Sequence, residues 1–267
     1  MSDVAVRRRW TRPPFIQNPL LRWGLWLGLA IYLALAFGTM EIDWNRFAEG
    51  ATRGQRFIAS FFPPDFTSRW DSIQDGILES LWMTITSTVI GIILSVPVGL
   101  GAARNLSWRP VYLLCRGILA VSRTFPEIIL AIFFVKLFGF GPFAGFLALS
   151  VGTIGFYGKL LAEDIEDMDP VQAEAVKAAG AGWFQWLNYA VQPQVMPRMI
   201  GLGIYRLDIN FRESAVVGIV GGGGIGATLL TSFDRYEFDS AAAILLVIIG
   251  IVMAMEYSSG YIRKWVQ

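Results

Sequence analysis

The sequence predicts an all-α, polytopic membrane protein with about six transmembrane helices, and three observations lead there. Of the 267 residues, 54% are hydrophobic and only 16% charged, where a soluble domain has roughly 25% charged; mean hydropathy is +0.51. Apolar stretches long enough to cross a hydrocarbon core of about 30 Å recur along the chain. Histidine is absent and Cys115 is the single cysteine. That removes Ser-His and Cys-His catalysis, His-ligated zinc or haem, any internal disulfide and any thiolate cluster, so no metal site is expected. Lys plus Arg number 22 against 21 for Asp plus Glu, and a net charge of +1 carries no basic footprint for nucleic acid.

Taken in order, residues 1–22 form an Arg-rich amino-terminal segment. Trp23 to Met40 holds no charge and is the first span; it is too long and too Trp-rich for a signal-peptide core, and no small-residue cleavage site follows, so it reads as retained. Residues 41–79 are polar, with Pro63 and Pro64 opposing a continuous helix. Ser80 to Ala103 is the second span, and Gly91, Pro97, Gly99 and Gly101 predict a kink towards its far end. Val111 to Leu137 is a third, interrupted span: Arg116 and Arg123 lie in its first half, Pro126 and Glu127 in its middle, Lys136 at its end. Gly139, Gly141 and Pro142 turn the chain into Phe143 to Gly158, the fourth span.

Lys159 to Arg198 is not apolar enough to cross and is long for a connector. Met199 to Phe233 is apolar except for Arg206, Asp208, Arg212 and Glu213. At about 50 Å if helical throughout, it exceeds one untilted crossing, which predicts a bent or re-entrant piece. Ser240 to Met255 is the last span, so residues 80–260 make the transmembrane core and 261–267 a tail.

Six crossings place both termini on one side. Arg7, Arg8, Arg9, Arg12 and Arg22 precede the first span, and Arg104, Arg109 and Arg116 follow the second without opposing acids. Excess Lys and Arg marks the cytoplasmic side, so both termini are expected there, with 41–79 as an extracytoplasmic excursion of a plasma (inner) membrane protein.

Within 159–198, Asp169 followed by Pro170 is a helix start: a side-chain oxygen for the first free amides, then a residue whose missing N–H costs nothing in the first turn. Gln172 to Ala179 is rich in helix formers, and Gly180 and Gly182 can end the helix. An apolar turn follows at Trp183-Phe184 and Trp186-Leu187.

Glu174, Ala175, Gly180 six residues after the Glu and Pro193 nineteen after it match the spacing of the EAA motif, and here the chain resembles the permeases of ABC importers. Ala190 and Gln192 stand where that family usually has Ile and Leu. Arg212 to Gly226 and the run Arg123-Thr124-Phe125-Pro126-Glu127 resemble phosphonate-type permeases; methionine permeases share a related Ser-Ala and Gly-rich stretch. The resemblance covers roughly residues 70–267 and implies a type I ABC importer permease fold. It implies that Glu174, Ala175, Ala178, Ala179, Gly180 and Pro193 belong to a coupling loop that docks on an ATP-binding subunit. Also implied are a homodimer of permeases, two ATP-binding subunits carrying ATP and Mg, an extracytoplasmic substrate-binding protein, and no cofactor or catalysis in this chain. Phosphonate or a related phosphorus oxyanion is then the expected solute; methionine or another oxyanion is the alternative. An integral membrane enzyme and an ATPase-independent channel or scaffold are rivals from other classes.

Charges inside spans are costly and mark functional candidates. Asp208 and Arg212, four apart, can pair on one helix face; Arg206 and Glu213, seven apart, share nearly one stripe. Two readings stand. Either these pairs lock helices together, or Arg206, Arg212 and Arg123 face the translocation path and stabilise a passing anion, with Glu127, Asp208 and Glu213 keeping affinity low. Gly221, Gly222, Gly223 and Gly224 lack the Lys-Ser or Lys-Thr of a P-loop and instead predict close helix approach or a sharp break.

Overall fold

The computed structural model describes residue 16, residues 18–40 and residues 43–266, with side chains as far as 261. The arginines at 7, 8, 9 and 12 lie outside the described residues. Chain contacts divide the molecule into two compact units, residues up to 57 and from 58 onward.

The first unit holds α1 (Pro19–Thr39) and most of α2 (Trp44–Ala59). Asn18 opens α1 by accepting the Leu20 amide at 3.0 Å, with Pro19 behind it, so the helix starts ahead of Trp23 and takes Arg22 into its first turn. Helix α2 is polar, and its entry is held by Asp43, which accepts the amides of Asn45 and Arg46. The expected excursion at 41–79 is therefore largely helical.

In the second unit, α3 (Trp70–Ala102) begins ten residues before the charge-free run, because Ile73 and Gly76 are buried while Asp71 and Asp75 face outward. Ahead of it, hydrogen bonds from Ser68 and Thr67 hold the Asp65 carboxyl below its ordinary value. Pro97 sits inside α3, which continues past it as one helix. A broken pair follows: α4 (Arg109–Thr124) and α5 (Glu127–Phe138) meet at 91°. Pro126, which lacks an N–H, marks the break.

Helix α6 (Pro142–Glu166) runs parallel to α3. A Cβ on Gly91 would meet Thr153 and one on Gly99 would meet Gly158 and Leu161, so small residues bring the two backbones close along their length. The sequence ends the fourth span at Gly158, but α6 continues to Glu166. Its charges are paired there, Lys159 with Glu163, Asp164 with Arg198 and Glu166 with Arg116, and paired charges do not stop a helix. The stretch between α6 and α9 thus begins at 167, as α6 runs eight residues past the expected end of the span.

It contains α7 (Pro170–Ala178) and α8 (Trp183–Trp186), which passes through a wide π turn at Leu187–Val191 into α9 (Gln192–Val217). Pro193 consequently lies where the π turn passes into α9, inside a helical run that continues from Trp183. Helix α9 returns antiparallel to α3 and α6. At Gly218–Gly222 the chain breaks and enters α10 (Gly224–Asp234) at 56°, then turns into α11 (Phe238–Val266). Among the described residues four helices, α1, α3, α6 and α11, are long and apolar enough to cross a membrane, or up to six if each bent pair is one span. No strand occurs among the described residues.

Candidate functional site

Two places gather the residues singled out by the sequence. The first is the connector. Asp169 Oδ1 accepts the Val171 amide at 2.9 Å and Gln194 Oε1 accepts the Asp169 amide at 2.8 Å, which ties the start of α7 to α9. Only Ala173 of α7 is buried; the indole of Trp186 donates to its carbonyl at 3.0 Å, and the Lys177 ammonium sits 4.3 Å over that indole. Ala173 and Trp186 join Ala102, Leu161, Ile165 and Val191 in one apolar cluster, so α7 rests on α8 and the π turn, which share that cluster with the ends of α3 and α6. Its other face is free: Glu174, Ala175, Ala178, Ala179 and Gly180 are exposed, beside exposed Val171, Trp183 and Phe184. The two tryptophans of the apolar turn thus differ. Trp186 anchors inward and Trp183 faces out.

The second place is a polar seam where α5, α6 and α9 meet. Arg206 is only 3% exposed. Its Nη2 lies 3.3 Å from Glu127 Oε1 and 3.3 Å from Glu213 Oε2, its Nε donates to Thr153 Oγ1 at 3.2 Å, and its guanidinium lies 5.3 Å from the Phe156 ring centre. Gly152 makes room for this: a Cβ there would fall 2.6 Å from Glu127 Oε1 and 2.8 Å from Arg206 Nη2. Just beyond, Asn210 is fully buried and donates to both Thr88 and Thr153, at 2.7 and 2.9 Å, which adds α3 to the junction. Arg212 pairs with buried Asp208 on another face of α9 and is itself 46% exposed.

The structure therefore brings Glu127, Arg206 and Glu213 together, keeps Asp208 with Arg212, and places Arg123 elsewhere. Arg123 lies on α4, its stem against Gly155, and lines a different cavity. Sequence reasoning missed Thr88, Thr153 and Asn210. The available signal was polar residues inside apolar spans, which is weaker than a charge because a hydroxyl can satisfy itself on its own helix.

The glycines form a seat rather than an anion cradle. Gly221 and Gly223 have φ of +99° and +77°, which side chains rarely adopt. Gly221 accepts the Gly141 amide at 3.0 Å, and a Cβ on Gly223 would meet Pro142, so the break docks on the α5–α6 turn. The free amides that open α10 are taken by α3: Glu79 accepts from Gly224 at 2.7 Å and Ser80 from Ile225 at 2.9 Å.

Residues 95–267 match the family model described as the binding-protein-dependent transport system inner membrane component. The chain is 44% identical over 266 residues to the phosphate-import permease protein PhnE of Mycolicibacterium smegmatis, covering 98% of this chain and 50% of that protein. It thus spans about half the length of that relative. It is 42% identical over 203 residues to the phosphite transport system permease protein PtxC of Stutzerimonas stutzeri, covering 76% of this chain and 74% of that one. Among solved structures, inward-facing MetNI methionine ABC transporter superposes with a TM-score of 0.64 at 24% identity, covering 73% of this chain and 96% of that chain, and shows the same fold. An amino acid ABC transporter gives 0.63 at 18% identity, covering 75% and 98%. The match to the family model takes in α4 to α11, with the exposed α7 face and the Arg206 seam inside it, and the chain belongs to the family of binding-protein-dependent transport system inner membrane components.

Proposed function

We propose that this chain is the membrane-spanning subunit of an ATP-driven importer for a phosphorus oxyanion, acting as a homodimer with two ATP-binding subunits and an extracytoplasmic binding protein. Both termini and the α7 connector are then cytoplasmic. The carrying observation is α7 itself. A short helix that exposes Glu174, Ala175 and Ala178 while a buried Trp186–Ala173 bond fixes its underside is built to be pressed from outside. Small side chains let another surface approach the backbone closely, and exposed Trp183 and Phe184 supply apolar area beside it. ATP and Mg bind to the partner, and closure of the ATP-bound pair favours one arrangement of α7 over the other. The Ala173–Trp186–Ile165 cluster passes that displacement to α3, α6 and α9.

The solute follows from the relatives, named for phosphate and phosphite. Within the path, enclosed Arg206 is neutralised by two carboxylates and holds α5, α6 and α9 in register, whereas half-exposed Arg212 offers the guanidinium to a passing anion. Asp208 competes for it and keeps retention weak.

The test is uptake by reconstituted permease, ATP-binding subunits and binding protein, with phosphate, phosphite, methylphosphonate and methionine as competitors. Competition by the phosphorus compounds and not by methionine supports the reading; the reverse overturns the solute. Cysteine crosslinking from Ala175→Cys and Ala178→Cys in a Cys115→Ser chain is expected to reach the ATP-binding subunit. Failure of both, or transport that persists with a catalytically dead ATPase, overturns the mechanism.

A further inference from the structure

Helix α4 carries Arg109, Arg116 and Arg123 at intervals of seven, with no acid between them. Seven residues are nearly two helical turns, so the three fall on one stripe. Two of that stripe, Arg116 and Arg123, border a cavity of about 310 Å³ between α4 and α6, walled also by Leu119, Ala120, Thr124 and Lys159. No carboxylate lines it.

The three cations in that wall differ in what holds them. Arg116 donates to Glu166 at 2.8 Å and to the Ala102 carbonyl at 2.9 Å. Lys159 lies 3.3 Å from Glu163, one turn along its own helix. Arg123 has no ion-pair partner among the described residues, although its root is fixed: a Cβ on Gly155 would come within 2.8 Å of its Cγ. It is separated from the Arg206 seam by the Pro126 break, since Glu127 on the far side of that break is the residue that meets Arg206.

Arg123 is exposed at the end of α4 and has no counter-charge among the described residues. Of the three cations in the wall only Arg123 is left without a counter-charge, and an anion entering the cavity would supply one. The fork of Arg123 fits two phosphoryl oxygens at once, and the Lys159 ammonium adds a flanking point charge. We propose that the α4–α6 cavity is a binding site for a phosphoryl oxyanion, held by Arg123 and flanked by Arg116 and Lys159, distinct from the path assigned to Arg212. Two sources present that chemistry, the headgroup of an anionic phospholipid and a free phosphorus oxyanion. The site does not depend on the transport reading, because occupancy is measured without turnover.

The experiment uses the full chain purified with its ATP-binding subunits in non-ionic detergent. In one arm, radiolabelled inorganic phosphate is measured by equilibrium dialysis; in the other, native mass spectrometry counts retained phosphatidylglycerol, with phosphatidylcholine as the neutral control. One probe is expected to bind wild type in preference to its control, sodium chloride or phosphatidylcholine. Arg123→Gln is expected to weaken that binding by about tenfold or more, the loss of a charge-assisted contact, and Arg123→Lys to restore part of it. Phosphate dependence assigns a solute site and phosphatidylglycerol dependence a lipid site; either supports the proposal. If Arg123→Gln fails to assemble, Lys159→Gln takes its place and is expected to weaken the same probe. Binding equal to wild type in the assembled variant, or no preferential binding of either probe to wild type, overturns it.

Discussion

Arg206 and Glu127 stand 79 positions apart in the chain and 3.3 Å apart in space. The contact joins α9 to α5 across Gly152 of α6, and the same Nη2 also reaches Glu213, so one buried cation serves two carboxylates. Removing it leaves both acids without their cation in a low-dielectric junction, which is worse than never having built the pair.

Arg206→Gln is accordingly expected to destabilise the chain by about 3–5 kcal/mol, seen as a large drop in the melting temperature of the detergent-solubilised protein. Arg212→Lys is expected to leave melting nearly unchanged, since it keeps a cation beside buried Asp208 and loses only the half-exposed guanidinium fork. It should instead alter uptake, by raising the solute concentration for half-maximal rate. Equal melting losses in the two variants would show that the seam is not what holds the helices.

Thr153 is the shared acceptor of Arg206 Nε and Asn210 Nδ2. Thr153→Val keeps the shape and removes the oxygen, so two buried donors lose a partner at a cost of about 1–3 kcal/mol. Thr153→Ser is expected to recover most of that. Chemical-denaturant or thermal unfolding of the two variants side by side checks the order.

Close backbone approach at the α9–α10 junction predicts a sharp glycine dependence. A Cβ on Gly226 would collide with the Ala215 carbonyl oxygen, whereas Gly250 has open space around it. Gly226→Ala should destabilise by about 1–3 kcal/mol or more and Gly250→Ala should not. Comparable stability of the two would mean that α10 does not pack against α9 as described.

Trp186→Phe removes the indole donor to Ala173 while keeping an aromatic ring under α7. The expected result is normal assembly with the ATP-binding subunits but weaker stimulation of their hydrolysis by solute-loaded binding protein. A variant that assembles and is stimulated as well as wild type would remove Trp186 from the coupling route.

The turn at 60–69 should respond to acid. Hydrogen bonds to Asp65 lower its pKa below the ordinary 3.8, so its contribution is complete above that value and is lost as pH falls further. Cleavage of this turn by an acid protease is expected to accelerate on descending below about pH 3.8, and Asp65→Asn to flatten that rise.

Much of this molecule can be read from its residue order, because the bilayer allows few solutions. A backbone in hydrocarbon must satisfy its own hydrogen bonds, so apolar runs of sufficient length have to be helices. Asp169-Pro170 marks the start of α7 by chemistry confined to one turn, and the four- and seven-residue spacings of Asp208–Arg212 and Arg206–Glu213 already place each pair on a shared face. What the chain order alone could not give is any relation set by a second helix. The extension of α6 to Glu166 depends on Arg116 and Arg198 arriving from elsewhere to pair its charges. The contrast between anchored Trp186 and exposed Trp183, and the separation of Arg123 from Arg206, depend on which helix packs against which face. Local rules fix where a helix runs. The partner of a buried charge is decided only when three helices close around it.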